Sequence, residues 1–274
     1  MSMIDSTTSL PHIGTYWYGS ALGPLERACL ISMLDQGHKV TLFCHGSVDR
    51  VPEGVEIMDA REVTGNRQVI MYLKDENKST HPSRPALFSN LFRYHMIAQL
   101  GWTWLDLDCF LLKPLQSQSP YIFAWEDSKL ICNATLALPK SSSTLKNLLE
   151  FCGHEYPIPP FFPLKWKLKL HFRKVIGNPI HVSYQKWGVW GPRALTYFLK
   201  ENKEDHHALD TKLLYPIHWK DVSLFHLPSD ELKESYLKDA MSVHLWGSKI
   251  KKTGLDKFGP EKSFLKEIMR IGGE

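Results

Sequence analysis

Hydrophobic positions along the first half of the chain switch between two spacings. Short β-prone runs predict strands at HIGTYWY (12–18), HKVTLFC (38–44) and VEIMD (55–59). Residues 25–34 carry apolar side chains at helical spacing and end before Gly37, and PALFSNLFRYHMIAQL does the same before Gly101. Because strands that alternate with such helices build parallel sheets, this half predicts an α/β fold with a mainly parallel sheet.

The second half continues with further strands and helices. Strands are predicted at TWLDLD (103–108), YIFAWE (121–126), KLICNATLAL (129–138) and MSVHLW (241–246), with shorter ones near 213–217 and 222–226. Helices are predicted near STLKNLLEF, at 192–200 and at EKSFLKEIM, whereas the polar stretch 61–85 predicts turns. The pattern is typical of one large domain with an insert.

The insert contains KWKLKLHFRK (165–174), in which basic residues at odd positions alternate with apolar residues at even ones. A period of two predicts a strand with one basic and one apolar face. A half-buried strand and a basic-edged helix are the alternatives that need no partner. With the preceding PPFFP, residues 161–174 also suit peripheral contact with an anionic membrane surface, on its inner face, where basic side chains meet acidic lipids.

Composition narrows the class of protein. A chain of 274 residues with 43% hydrophobic and 23% charged positions is typical of a soluble globular protein. The five scattered cysteines form no CxxC pair and predict neither a zinc site nor a dense disulfide framework, which fits a reducing cytosol. No apolar run approaches the roughly 18 residues of a membrane span, and MSMIDSTTSLPHIG lacks the apolar core of a signal peptide. We therefore expect a cytoplasmic protein.

Charge argues against one class of partner. The 33 basic residues nearly balance the 29 acidic ones, and the formal net charge is +4. This excess is too small to indicate nucleic-acid binding, so no nucleic-acid partner is expected.

Two carboxylates stand inside the otherwise apolar run TWLDLDCFLLKP. On a strand, residues two apart project to the same face, so Asp106 and Asp108 are expected to point together at a strand end. Paired carboxylates suit a hard divalent ion such as Mg2+ or Mn2+, which in turn neutralises phosphates. The alternative is a solvated strand end, with one of the two capping the turn before Pro114.

The context of this pair resembles a known family. FSNLFRYHMIAQLGWTWLDLDCFLLKPL (88–115) is similar to the "SDLFRY…GGIYLDLD…KPL" block of DXD-containing glycosyltransferases, the sugar-binding-region family of polysaccharide and lipopolysaccharide sugar transferases. Asn90 stands where the family has Asp, and Trp102 replaces the second Gly. The resemblance implies a GT-A-type nucleotide-sugar fold. It also implies one catalytic domain, 1–274, made of a nucleotide-sugar-binding half (12–140), an acceptor-side half (141–240) with the basic insert 155–175, and a C-terminal lid (241–274).

The resemblance also implies roles for the residues of this block. Asp106 would contact the ribose or the donor sugar, and Asp106 and Asp108 would hold Mn2+ or Mg2+ on the diphosphate. Arg93 would reach the donor sugar or its phosphate, since a guanidinium suits such oxygens. Asn90, one helical turn before Arg93, would hydrogen-bond a sugar hydroxyl without the charge of the family's Asp.

Three shorter matches follow the same family order. TYWYG is similar to the family's first strand, where Trp17 would stack on the nucleotide base beside Tyr16; a buried core Trp is the alternative. WGVWGPRALT resembles "TGPxxLT" and predicts a loop-to-helix junction at Gly191 and Pro192 beside the site, although a plain helix start would also have Pro there.

The third match lies near the C-terminus, where VHLWGSK resembles the motif "HxWxxSW". His244 would complete the metal site through a neutral ring nitrogen. Trp246 or Ser248 would touch the diphosphate, and Lys249, which replaces the second Trp, would neutralise leaving-group charge. A structural histidine and a surface lysine are the alternatives.

These features together favour a metal-dependent glycosyltransferase, and the resemblance further implies that it retains anomeric configuration. It would move a sugar from a nucleotide-sugar, in our expectation a UDP-sugar, to a hydroxyl of a glycan or a lipid-linked acceptor such as lipopolysaccharide or capsule. Two other classes stay open. One is a catalytically silent glycan- or nucleotide-binding module, and the other is a DxD aspartyl-phosphate phosphatase, whose motif is usually followed by Thr or Val rather than Cys109.

Overall fold

The computed structural model describes residues 10–73, 85–257 and 259–274. Residues 1–9, most of the N-terminal segment in which no signal peptide is expected, and the segment 74–84 of the predicted turn region lie outside the described residues. Within the same region, Arg61–Thr64 forms a short helix rather than a turn.

Eight strands and ten α-helices follow one another along the described chain, with short 3₁₀ and π segments between them. The strands are β1 Ile13–Trp17, β2 Val40–Cys44, β3 Glu56–Asp59, β4 Thr103–Leu105, β5 Cys109–Leu111, β6 Ile122–Trp125, β7 Ile131–Ala137 and β8 Ser242–His244. The helices are α1 Pro24–Asp35, α2 Arg61–Thr64, α3 Ala86–Leu100, α4 Ser143–Cys152, α5 Leu164–Val175, α6 Pro192–Glu201, α7 Thr211–Leu214, α8 Ser229–Leu232, α9 Gly247–Thr253 and α10 Phe264–Ile271.

The central sheet has the order β3-β2-β1-β4-β7-β6. β1, β2, β3 and β4 pair in parallel, β7 runs antiparallel to both neighbours, and β6 therefore points the same way as β4. This confirms the mixed α/β fold with a mainly parallel sheet, which is consistent with the predicted GT-A-type fold. Five strands consequently end at the same edge, where such sheets bind ligands.

Both faces of the sheet are covered, as a parallel sheet requires. Leu42 and Leu105 face a core shared with α1 and α10. Phe43 and Trp104, one position away on the same strands, face a second core shared with α3, α4 and α6. The side-chain alternation of a strand explains this division, and it directs Trp104 and Asp106 towards α3.

A second, two-stranded sheet joins β5 to β8. The antiparallel register sets Cys109 opposite His244 and Leu111 opposite Ser242. The segment that follows the DXD motif is thereby tied to a segment near the C-terminus. This pairing brings together two sequence motifs that are remote along the chain.

The predicted strand 103–108 is wrong at its end. Asp106 N–H still donates to the Ala134 carbonyl at 2.7 Å, but the Cys109 N–H then bonds the Asp106 carbonyl at 3.0 Å and closes a turn. The two carboxylates therefore lie on a turn after β4 rather than on one face of a strand.

The predicted strand at 165–174 is also wrong, because this segment forms α5. Lysine, leucine and arginine are good helix formers, and Pro163 stands just before the first turn, where proline is tolerated. The apolar residues of this segment alternate as in a strand and also recur every four positions as in a helix. The sequence pattern alone therefore did not separate the two structures.

The short strands predicted near 213–217 and 222–226 are helical turns. Asp210 caps α7 by accepting from the Lys212 N–H at 2.9 Å, and Pro216 cannot donate to a strand ladder. Residues Val222–His226 form a 3₁₀-helix.

No helix among the described residues is long and apolar enough to span a bilayer.

Candidate functional site

Arg93, on α3, forms the centre of a buried network beside the DXD turn. It is 2% exposed, donates from Nη2 to Asp106 Oδ1 at 2.6 Å, and donates from Nη1 to Asn90 Oδ1 at 2.7 Å. Its guanidinium lies 4.5 Å from the centroid of the Trp104 ring, and the Trp104 indole N–H also donates to Asp106 Oδ1 at 2.6 Å. Asp106 is thus held at one oxygen and leaves Oδ2 for another partner.

The same network involves two residues predicted to contact the donor. Both terminal nitrogens of Arg93 are engaged, so the guanidinium holds Asp106 in this conformation, and its contact with a donor stays a prediction. Asn90 Oδ1 accepts a second bond, from Asn133 Nδ2 at 2.7 Å, which leaves the Asn90 amide nitrogen as its group for a sugar hydroxyl. The one-turn spacing of Asn90 and Arg93 on a common helix face is as predicted.

Asp108 and His244 meet across the β5–β8 ladder. His244 Nε2 lies 3.1 Å from Asp108 Oδ1, although 136 positions separate the two residues. Asp108 Oδ2 accepts from the backbone N–H of Gly247 at 2.9 Å. A β-carbon at Gly247 would lie 3.4 Å from Asp108, which is an ordinary van der Waals contact.

Burial and the charges of neighbouring groups shift the pKa values of Asp106, Asp108 and His244. Burial by itself would raise the pKa of Asp108 and lower the pKa of His244, but the attraction and hydrogen bond between them reverse both effects. The pKa of Asp108 is therefore lowered, and that of His244 is raised well above its usual range. Burial and the charge of Asp108 raise the pKa of Asp106 despite the opposing effect of Arg93. The carboxylate pair therefore favours a further positive charge nearby.

A metal ion fits part of this arrangement. Asp108, Cys109 and His244 offer one ligand atom each within 4.8 Å of one another. Cis ligands about 2.1 Å from an octahedral ion stand about 3 Å apart, which matches the distance between Asp108 and His244. Burial raises the pKa of Cys109 well above its usual range, so its thiol is a poor ligand. Asp106 does not belong to this group, and its predicted direct ligation stays a prediction.

The residues after His244 hold its ring in place. Trp246 adopts a positive φ of 55°, a strained conformation for a bulky residue, and its ring centroid lies 3.8 Å from that of His244. Its indole N–H donates to the Ile217 carbonyl at 2.9 Å, so that donor is not free for a diphosphate. Ser248 is exposed, and Lys249 lies over the Trp219 ring at 4.4 Å. Contact of Ser248 or Lys249 with a diphosphate stays a prediction.

The two aromatic residues Tyr16 and Trp17 of β1 lie in different environments. Tyr16 is buried against Phe88 and Phe92, so its ring is a core side chain. Trp17 is half-buried on the other face, and a β-carbon at Gly19 would come within 3.0 Å of its Nε1. Its indole N–H has no partner among the described residues. Trp17 also packs against the core shared with α1, and its stacking on a base stays a prediction.

The junction predicted at Gly191 lies beside Asn90. α6 begins at Pro192 after Gly191, as predicted, and a β-carbon at Gly191 would come within 3.0 Å of Asn90 Nδ2. The Trp190 carbonyl accepts from the Tyr94 hydroxyl at 2.9 Å, which ties this loop to α3. The segment thus supports the Asn90–Arg93 network.

Sequence reasoning missed four residues around the site. Trp104 shares a strand face with Asp106, and Asn133 is a polar residue inside an apolar strand, so both carried a usable signal. Glu126 directly follows β6, at the sheet edge where the parallel strands end. Burial raises its pKa, and it interacts with His244, Lys249 and Trp219. Trp219 carried no sequence signal. A cleft of about 390 Å³ elsewhere, lined by residues of α1, β5 and α10, contains none of these residues.

Comparison with known proteins adds little about activity. The sequence matches no protein-family model and no curated protein. Among solved structures, the chain is similar to one described as "PaToxG Glycosyltransferase", with 14% sequence identity and a TM-score of 0.44, over 96% of this chain and 86% of that chain. A similarity this low carries no argument about what the chain does.

Proposed function

We propose that this chain is a glycosyltransferase that moves a sugar from a nucleotide-sugar donor to a hydroxyl of a glycan or glycolipid acceptor. The observation that supports this most is the meeting of Asp108 and His244 at 3.1 Å beside the DXD turn. A histidine and a carboxylate from remote motifs suit a shared divalent cation, and the sugar-transferase resemblance rests on these same motifs. We propose Mn2+ or Mg2+ as that cation, and a UDP-sugar as the donor.

We place the donor along the carboxyl edge of the sheet. Trp17 stacks on the base, the free Oδ2 of Asp106 takes a ribose or sugar hydroxyl, and the Asn90 amide donates to the transferred sugar. Arg93 acts through Asp106 and Asn90, so we assign it a positioning role. The division into donor half, acceptor half and C-terminal lid is part of the proposal.

The proposed reaction proceeds on one face of the sugar. The bond from C1 to the diphosphate oxygen breaks, the acceptor oxygen bonds C1 on the same face, and the acceptor proton passes to the departing phosphate oxygen. No residue at the site is assigned as a covalent nucleophile. A divalent cation at Asp108 and His244 would neutralise charge on the departing diphosphate. Lys249 adds positive charge on that side, and Asp106 orients the donor.

The proposal is tested by nucleotide release. UDP release from UDP-glucose or UDP-galactose in the presence of Mn2+, lost on chelation, is the expected result. GDP-sugars provide the comparison for the base. Release of phosphate from a phosphomonoester without sugar transfer would instead identify a phosphatase. Donor binding without turnover would identify a silent module, which the neutral Asn90 at the family's Asp position favours.

We expect His244→Ala to weaken activation by Mn2+ more than activation by Mg2+. A ring nitrogen suits the softer ion better, so its loss removes the preference for Mn2+. Activity titrated with each metal gives the two activation constants, and thermal unfolding checks the fold. An equal loss with both metals would contradict nitrogen ligation. His154→Ala, at an exposed position after α4, is the control and should change neither constant.

A further inference from the structure

Helix α5 presents an apolar stripe to solvent. Leu164, Leu168, Phe172 and Val175 are 67%, 61%, 65% and 78% exposed. Spacings of four, four and three place them on one side of the helix. Leu170 lies on the opposite side and is buried in the core. The stripe therefore takes no part in holding the fold together, and a contiguous exposed apolar strip of this kind usually marks an interaction surface.

Basic side chains border the stripe on both sides. Helical geometry sets Lys165 and Lys169 along one flank and Lys167 and Lys174 along the other. Among the described residues, no salt bridge engages any of these four lysines. Their charges are consequently available to an outside partner.

The charge of the surrounding chain is also segregated. Residues 156–200 contain eight of the 33 basic residues and none of the 29 acidic ones. The loop before α6 joins this region, since the Lys186 ammonium lies 5.1 Å from the Trp166 ring. Tyr184 in this loop is 61% exposed, whereas the helical period turns Trp166 to the side of α5 opposite the stripe.

We propose that α5 lies in the plane of an anionic membrane, with Leu164, Leu168 and Phe172 among the lipid headgroups and the flanking lysines on acidic lipid phosphates. Amphipathic helices with an apolar stripe between basic flanks bind membranes in this way. A second copy of the chain would bring the same positive flanks face to face, which disfavours a self-contact. This surface goes beyond the proposed sugar transfer and does not depend on it.

A chain of packing and hydrogen-bond contacts connects this helix to the candidate site. Leu170 packs in the same core as Trp190, whose carbonyl accepts from Tyr94 on α3. A β-carbon at the next residue, Gly191, would come within 3.0 Å of the Asn90 amide nitrogen, so this loop passes close to Asn90. Docking of α5 would therefore hold the site at a fixed orientation to the membrane, as a lipid-linked acceptor requires.

Vesicle sedimentation of the full chain tests the proposal. Vesicles of phosphatidylcholine with phosphatidylserine are expected to bind at least tenfold more protein than vesicles of phosphatidylcholine alone, with less binding at high salt. Leu168→Ser with Phe172→Ser is expected to lower binding about tenfold, and so is Lys167→Glu with Lys169→Glu. The matched controls, Ile57→Ser with Leu73→Ser and Lys252→Glu with Lys262→Glu, are expected to bind as the wild type does.

Two results would overturn the proposal. Unchanged binding of both α5 variants would assign any lipid contact to another surface. A concentration-dependent dimer in sedimentation equilibrium that the Leu168 and Phe172 substitutions abolish, without vesicle binding by the wild type, would assign the stripe to self-association. Thermal unfolding of each variant excludes loss of the fold, which exposed substitutions should leave intact.

Discussion

Replacing Asp108 with Asn is expected to lower kcat/KM for sugar transfer at least about a hundredfold while the fold stays intact. Asp108 meets His244 at 3.1 Å and accepts the Gly247 N–H at 2.9 Å. Asn keeps an oxygen for Gly247, and its amide can donate to a neutral imidazole, so the contact between β5 and β8 is retained. The Asn side chain lacks the negative charge with which Asp108 would bind a divalent cation. Nucleotide release at saturating Mn2+ measures the rate, and urea unfolding measures stability.

The control for this variant is Asp239→Asn. Asp239 is exposed and makes no hydrogen bond to the described residues, so its replacement should leave both quantities unchanged. If Asp108→Asn keeps more than about a tenth of wild-type activity, less than about 1.4 kcal/mol of transition-state stabilisation was lost. The assignment of Asp108 as a metal ligand would then be wrong.

The location of the candidate site could be predicted because its parts are short local motifs. A carboxylate pair after an apolar strand, preceded by a helix that ends at Gly101, is visible in the sequence itself. The pairing of Cys109 with His244 is different, because it depends on a ladder between remote segments. Periodicity carries no information about such a register, and only the family resemblance associated His244 with the two Asp residues.

The roles within the site were harder to predict than its location. Arg93 was expected to reach the donor, and in the structure its two terminal nitrogens bond Asn90 and Asp106. These partners depend on distances between α3 and the sheet, which a one-dimensional pattern does not contain. Trp104 is an exception, since the period of two that related Asp106 to Asp108 also placed Trp104 on the Asp106 face.

The basic insert shows why a pattern can support two structures. Its alternation fits a strand, but Leu164, Leu168 and Phe172 also recur every four residues, which fits a helix. Length was the better guide, because the twelve residues of α5 exceed a usual strand. The exposed stripe follows from the helical period and would not exist in the predicted strand.

Replacing Arg93 with Ala is expected to lower the free energy of unfolding by roughly 2 to 4 kcal/mol. The loss leaves Asp106 without its ion pair and Asn90 Oδ1 with Asn133 as its remaining donor, and it removes the stacking on Trp104. This loss in the free energy of unfolding should lie at the low end of the range for broken buried ion pairs. The reason is that the Asp106 side chain is 29% exposed and can be hydrated by water. Arg93→Lys should be intermediate, since an ammonium cannot bond both partners in a fixed plane. Urea unfolding midpoints at unchanged m-value give the comparison.

A double variant separates the orphaned charge from the lost packing. If the unpaired carboxylate causes most of the destabilisation, Arg93→Ala with Asp106→Asn should be more stable than Arg93→Ala alone, because the charge that lacks a partner is gone. If packing on Trp104 dominates, the second substitution should add its own cost. A loss below about 1 kcal/mol for Arg93→Ala would contradict the network itself, since a guanidinium that stabilises nothing in the free protein is available to the donor phosphate. Arg93 would then regain the donor-contact role that the sequence resemblance implies, and Asp106 would be positioned by Trp104 alone.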